Sequence, residues 1–329
     1  MTTDINQKIM NEIKWGIIGC GDVTEVKSGP AFNKIANSQL VAVMRRDAAK
    51  AADYAKRHGV PKWYSNASDL INDPELNAIY IATPPLQHEE YTIAALATGK
   101  PVYVEKPMAL NSAAAQRMAE ASLKYGVKLV VAHYRRAQPL FLKIKSLLAE
   151  KAIGDVRFVD LKMLQPAASD IIANSEENWR INPAISGGGL FHDLAPHQLD
   201  LMLYYFGEAV SSHGLASKKD AAAPVADLVT GHIEFKNNVV FNGLWCFSAP
   251  KSEQADSCEI VGSKGKITFS VFGQYIKVNV EGKEETLNFE PLQHVEQPMI
   301  EQVVAYFRGE GENPCSAEEA LKTMKIMDA

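Results

Sequence analysis

Cysteine is scarce in this chain. Among 329 residues there are four, Cys20, Cys246, Cys258 and Cys315, and no two of them form a C-x-x-C pair. That excludes a disulfide framework and a cysteine-built zinc site, and it fits thiols kept reduced. No apolar run approaches the length of a membrane span. Positive charge is not in excess: 34 Lys and Arg stand against 39 Asp and Glu, a formal net charge of -5. The chain therefore has no electrostatic footprint for nucleic acid. Internal repeats and low-complexity segments are absent. The first twelve residues are polar and lack a hydrophobic signal core, which reads as a cytoplasmic protein. What is left is an ordinary globular composition, 47% hydrophobic and 22% charged, on a chain long enough for two cores.

The rest of the chain is organised around residues 14–24, K-W-G-I-I-G-C-G-D-V-T. A short apolar run over 13–18 has the look of a buried parallel strand. It leads straight into Gly19-Cys20-Gly21, then Asp22, Val23 and Thr24, a G-x-G-x-x-x variant of the dinucleotide fingerprint. Gly19 permits the tight turn, and Gly21 lets backbone approach a pyrophosphate closely. The following helix would point free N–H groups and its positive dipole end at that anion. Cys20, inside the loop, reads as a small filler, since nothing nearby activates it.

From 13 to about 132, short apolar runs alternate with helical segments, as in repeated βα units. The strands expected are 13–18, 40–44, 78–82, 101–104 and 128–132; the helices are 31–36, 48–58, 67–70, 86–98 and 112–125. Ser28-Gly29-Pro30 interrupts the first helix, either as a kink that Pro30 restarts or as a bend that brings Lys27 to the site mouth. After the second strand comes Met44-Arg45-Arg46-Asp47. Arg45 stands where an acid would bind the adenosine 2′-hydroxyl, and its guanidinium suits a 2′-phosphate instead. Arg45 and Arg46 thus favour NADP(H), with NAD(H) possible if the register slips and Asp47 binds the ribose. Ala82-Thr83-Pro84-Pro85-Leu86-Gln87-His88 and Glu105-Lys106-Pro107 each follow a strand.

These segments, with Y-R-R (134–136), W-R (179–180) and G-G-G-L-F-H-D-L-A-P-H-Q-L-D (187–200), stand in an order that resembles the Gfo/Idh/MocA family of NAD(P)-dependent oxidoreductases. The resemblance spans nearly the whole chain. Two residues depart from the commonest pattern: Thr24, in place of a small Ala or Gly, and Arg45, in place of an acid. The second points towards NADP-using members such as 1,5-anhydrofructose reductase. The resemblance implies that Lys106 is the catalytic lysine beside the nicotinamide and that Thr83, Pro84 and His88 form the loop over the cofactor. It implies that Glu105 contacts the nicotinamide ribose, that Trp179 and Arg180 reach the cofactor, and that Asp193 and His197 are the substrate-binding acid and the catalytic histidine. With Gly19, Gly21, Asp22 and Val23, these residues make up the expected cofactor and substrate sites.

Past Arg135 and Arg136 a helix over 139–150 leads out of the nucleotide domain. Longer β-like runs follow at 156–164, 226–235, 239–247, 258–261, 266–271 and 275–280, with Asn237-Asn238, residues 262–265 and Glu281-Gly282 as hairpin turns. The fold expected is an α/β Rossmann domain (1–136) followed by an α+β domain (137–329) built on a large, open, mainly antiparallel sheet, with self-association to a dimer or tetramer across that sheet. Asp193 and His197 share a helix face at i, i+4, where the acid can orient and tune the imidazole. No ligand set completes a metal site; His192 reads as structural or as pocket wall. Arg135, Trp179 and Arg180 suggest a polar or anionic group near the cofactor. The activity expected is hydride transfer to or from a carbinol or ketone carbon of a sugar or cyclic polyol. A glycoside-cleaving enzyme with tightly held nicotinamide, and a non-enzymatic NADP(H) sensor, are the alternatives.

Overall fold

β1 (Ile13–Ile18) is buried at five of its six positions, as a strand must be when it has neighbours on both edges and cover on both faces. The computed structural model describes residues 10–166, 169, 179–219 and 222–329; most of the polar N-terminal stretch lies outside them. The chain divides into two units. One runs through Ala137 and is rejoined by Leu292–Met324; the other comprises Gln138–Pro291 with Lys325–Ala329.

In the first unit β2 (Ser38–Met44), β3 (Lys62–Tyr64), β4 (Ala78–Ile81), β5 (Val102–Val104) and β6 (Leu129–Val131) join β1 in a wholly parallel sheet of order β3-β2-β1-β4-β5-β6. This is the doubly wound order, and its direction reverses between β1 and β4, where such sheets open a crevice at their carboxyl ends. The connecting helices are α1 (Asp22–Val26), α2 (Ala48–His58), α3 (Ala67–Ile71), α4 (His88–Ala97) and α5 (Ser112–Tyr125). α2 and α5 start on side-chain caps from Asp47 and Asn111 and stop on left-handed Gly59 and Gly126, so both ends of each are fixed locally. The helix expected over 31–36 is instead a 3-10 turn, Gly29–Asn33, with Pro30 in its first positions, since proline restarts the chain after α1 without needing a donor. The segment expected over 86–98 divides into a 3-10 turn, Pro85–Gln87, and α4.

In the second unit α6 (Pro139–Ala149) leads to β7 (Val156–Leu164); a 3-10 turn (Trp179–Ile181), α7 (Pro183–Ser186) and α8 (Leu190–Phe206) precede β8 (Ala209–Ser217). β9 (Leu228–Phe235), β10 (Val240–Cys246), β11 (Ala255–Gly262), β12 (Gly265–Phe269), β13 (Tyr275–Val280) and β14 (Lys283–Asn288) complete an eight-stranded sheet of order β14-β13-β12-β11-β7-β10-β9-β8. Among the described residues of this sheet only β7 and β10 pair in parallel, so the sheet is mainly antiparallel, as expected. Along β7, Val159, Leu161 and Met163 are buried while Phe158 and Lys162 are exposed, which gives one core face and one wet face. Glu281 and Gly282 both have positive φ, 52° and 84°, the geometry of a two-residue hairpin turn between β13 and β14.

The division at 136/137 leaves out one feature. α9 (Gln297–Arg308) buries Met299, Ile300, Val303, Val304 and Phe307 in the first unit, with Phe307 5.6 Å from the Trp15 ring. α10 (Ala317–Met327) follows, and its Glu319 pairs with buried Arg136 at 2.9 Å. Amphipathic periodicity gives α9 an apolar face; the Trp15–Phe32 surface of the parallel sheet is what that face covers.

Candidate active site

At the carboxyl end of β1, Gly19 has a φ of 97°, and a Cβ there would lie 2.8 Å from the Thr83 nitrogen and 2.9 Å from the Ala82 carbonyl carbon. The loops after β1 and β4 therefore touch through bare backbone, which only glycine allows. A Cβ on Gly21 would meet nothing within 4 Å, so that stretch of backbone is open to approach. α1 has only five residues, too short for the dipole expected of it; what it can offer an anion is backbone N–H. Thr24 is fully buried, its hydroxyl donates to the Gly21 carbonyl at 2.8 Å, and Tyr54 donates to the Thr24 carbonyl at 2.8 Å. The departure from a small residue is thus absorbed by two hydrogen bonds that pin the glycine turn. Burial pushes the Cys20 thiol up to about 11, so it is an inert filler.

Arg45 follows β2 directly and lies half-buried over the glycine loop, with Nη1 3.4 Å from the Cys20 carbonyl. Arg46 is exposed. Asp47 accepts from the Lys50 N–H at 3.1 Å as the cap of α2, so its carboxylate already has a structural role. After β4, Thr83 and Pro84 are half-buried, and the Thr83 hydroxyl has no hydrogen-bond partner among the described residues. A buried hydroxyl in that condition, beside the open backbone at Gly21, fits a dinucleotide lying across these strand ends.

His88 is placed differently from the loop over a cofactor. It is 0% exposed, with Nε2 2.7 Å from the Thr83 carbonyl and Nδ1 2.9 Å from the Pro107 carbonyl. It links the turns after β4 and β5 from behind, and burial lowers its pKa. Glu105 is likewise turned inward: it is 6% exposed, takes the Tyr80 hydroxyl at 2.6 Å on Oε1 and the Lys106 N–H at 3.2 Å on Oε2. Those bonds commit the carboxyl to the core rather than to a ribose. Lys106 is half-buried at the carboxyl end of β5 and precedes a cis Lys106–Pro107 peptide. Arg135 is buried with its guanidinium 5.6 Å from the Tyr134 ring.

The second unit holds the other expected residues. Arg180, 6% exposed, lies over the Trp179 ring at 4.5 Å and donates through Nε to Asp193 at 2.9 Å. Asp193 and His197 are one turn apart on α8, as expected, and Asp193 forms an ion pair with Arg180. His197 is 4% exposed and meets the Phe272 ring edge-on at 5.7 Å. Pro196 lies between them inside α8 and deprives the His192 carbonyl of its helical donor. Gln198 anchors the helix by accepting from Trp245 Nε1 at 2.8 Å. His192 lines a cavity of about 490 Å³ beside β8 and β9; neither Asp193 nor His197 does. One buried group escaped the sequence reading entirely: Glu296, 0% exposed, with its carboxyl 3.4 Å from the Tyr80 hydroxyl. No local pattern marks it, because its neighbours come from strands far back in the chain.

The chain is similar to known proteins over most of its length. Residues 13–133 match the profile described as "Oxidoreductase family, NAD-binding Rossmann fold" and residues 141–268 the "GFO/IDH/MocA C-terminal domain". The chain is 49% identical over 318 residues to Oxidoreductase P35 of Formosa agariphila, covering 97% of this chain and 98% of that one. It is 27% identical over 296 residues to trans-1,2-dihydrobenzene-1,2-diol dehydrogenase of Xenopus laevis, covering 87% and 83%. A levoglucosan dehydrogenase solved with NADH and levoglucosan has the same fold, with a TM-score of 0.83 at 23% identity over 96% and 95% of the two chains.

Proposed function

Because the chain belongs to the GFO/IDH/MocA family of oxidoreductases, we propose that it moves hydride between a nicotinamide cofactor and a carbinol or ketone carbon of a sugar or cyclic polyol. The observation that carries this reading is the row of strand ends in the first unit. Gly19, Arg45, Thr83 and Lys106 follow β1, β2, β4 and β5 at the carboxyl edge, which is where doubly wound sheets bind ligands. A bound nicotinamide accepts or supplies the hydride. In the oxidising direction, Lys106 donates a hydrogen bond to the reacting oxygen and stabilises its growing negative charge, while His197 takes the hydroxyl proton. Asp193, held by Arg180, accepts from a substrate hydroxyl. The diol and anhydrosugar dehydrogenases among the similar proteins support a cyclic, hydroxylated substrate. Self-association across the wet face of the second sheet, where Phe158 is 40% exposed, belongs to the same reading.

NADP(H) is the preferred cofactor on this reading, because Arg45 offers a fork of donors where a 2′-phosphate would lie, while Asp47 caps α2. Titration with NADPH and NADH checks it. NADPH should bind at least about tenfold tighter, and Arg45→Ala should erase most of that difference, worth about 1.4 kcal/mol per tenfold. Tighter NADH would overturn the preference. Lys106→Ala and His197→Ala should each cut turnover by orders of magnitude with cofactor affinity largely kept. Wild-type turnover in either would overturn the roles given to them.

A further inference from the structure

Glu105 and Glu296 gather on one hydroxyl. Tyr80 donates to Glu105 at 2.6 Å and stands 3.4 Å from Glu296 and 3.1 Å from Ser28. Both carboxyls are buried and converge on the Tyr80 hydroxyl, Glu105 through Oε1 and Glu296 through Oε2. Two carboxylates in such a site cannot both ionise without severe repulsion. Burial raises the pKa of both groups, and the charge of Glu105 drives Glu296 higher still. The charged and titratable groups facing the pair are Lys106 and Lys27, which favour ionisation, and the phenols Tyr80, Tyr103 and Tyr134. The other oxygen of Glu105 takes the backbone N–H of Lys106 at 3.2 Å. A chain of contacts therefore runs from α9 to the turn that carries the proposed catalytic lysine.

We propose that Glu296 is a positioning residue for Lys106: it keeps its carboxyl proton and points it at Glu105 as a hydrogen-bond donor, and the single negative charge, carried by Glu105, holds the backbone turn on which Lys106 stands. If both groups were ionised, repulsion would drive Glu105 away from the Lys106 N–H. If Glu296 were absent, Glu105 would be a lone buried carboxylate, free to take up a proton and release that N–H. The inference rests on the role given to Lys106 above. The competing explanation is that Glu296 only starts α9, since its own N–H donates to the Lys27 carbonyl at 3.3 Å and its carbonyl receives Met299 and Ile300 at 3.0 Å.

The test uses the full chain with 13C at glutamate Cδ and 15N in the lysine amides. The wild type should show one carboxylic-acid glutamate signal that persists at neutral pH and disappears in Glu296→Gln. The Lys106 amide resonance should move in Glu296→Leu and stay near its wild-type position in Glu296→Gln, whose amide N–H can make the same bond to Glu105. These readouts need no substrate. With an active substrate, kcat should fall at least about tenfold in Glu296→Leu and less than about threefold in Glu296→Gln, with KM and cofactor affinity little changed. Absence of a persistent acid signal in the folded wild type overturns the proposal. So does a folded Glu296→Leu with an unmoved Lys106 amide or wild-type kcat, or a glutamine variant as impaired as the leucine. If the wild type turns over no carbinol or ketone, the substrate reading fails, and the two resonances still decide the role of Glu296.

Discussion

A methyl group at Gly19 would meet backbone on two sides, the Thr83 nitrogen at 2.8 Å and the Ala82 carbonyl at 2.9 Å, in a conformation with φ of 97°. Neither contact is the end of a flexible side chain, so the loops after β1 and β4 would have to part. Gly19→Ala should therefore lose about 1–3 kcal/mol of stability, read by denaturant unfolding. At Gly21 the added carbon would meet nothing within 4 Å, so Gly21→Ala should change stability by less than about 0.5 kcal/mol. Its cost should fall on dinucleotide binding, because the methyl would occupy the space a pyrophosphate needs. The spacing of the two glycines was legible in the sequence. So were their separate duties, but the backbone that Gly19 meets was not, because Ala82 and Thr83 follow another strand. For the same reason the sequence offers Glu105 and His88 as cofactor contacts and gives no sign of their core partners.

At the scale of elements, α9 closes the first unit through Phe307, packed against Trp15 at 5.6 Å. Phe307→Ala should cost about 3–5 kcal/mol, seen as a lower denaturant midpoint with little change in slope. Elements with strong local signals at both ends were read to the residue: α2 and α5 by their caps and left-handed glycines, β7 and β13 by alternation between turns. β3, β8 and β14 were missed. All three lie at sheet edges, where little burial enforces a pattern; β14 reads K-E-E-T-L-N with no buried residue. The return of α9 and α10 to the first unit was equally invisible, since periodicity tells which face a helix hides but not where it hides it.

For the whole molecule, burial sets two opposed pH dependences. His88 and His192 have pKa values pushed below the ordinary range of about 6.5 by burial. Their unfolded forms bind protons that the folded forms refuse, so the stability they contribute is full above that value and is lost as pH falls below it. Glu105 and Glu296 are shifted upward, so their contribution is full below the ordinary carboxyl range and is lost as pH rises towards their folded values. Between about pH 5 and 7 the two effects partly cancel. Glu296→Gln removes much of the second, so its melting temperature should climb more steeply with pH than that of the wild type, as calorimetry at several pH values would record. The return of Leu292–Met324 to the first unit also has a meaning for biosynthesis. Trp15 emerges from a ribosome well before the helix that shields it. The nucleotide-binding half must wait, incomplete and with aromatic surface uncovered, while the whole second sheet is synthesised.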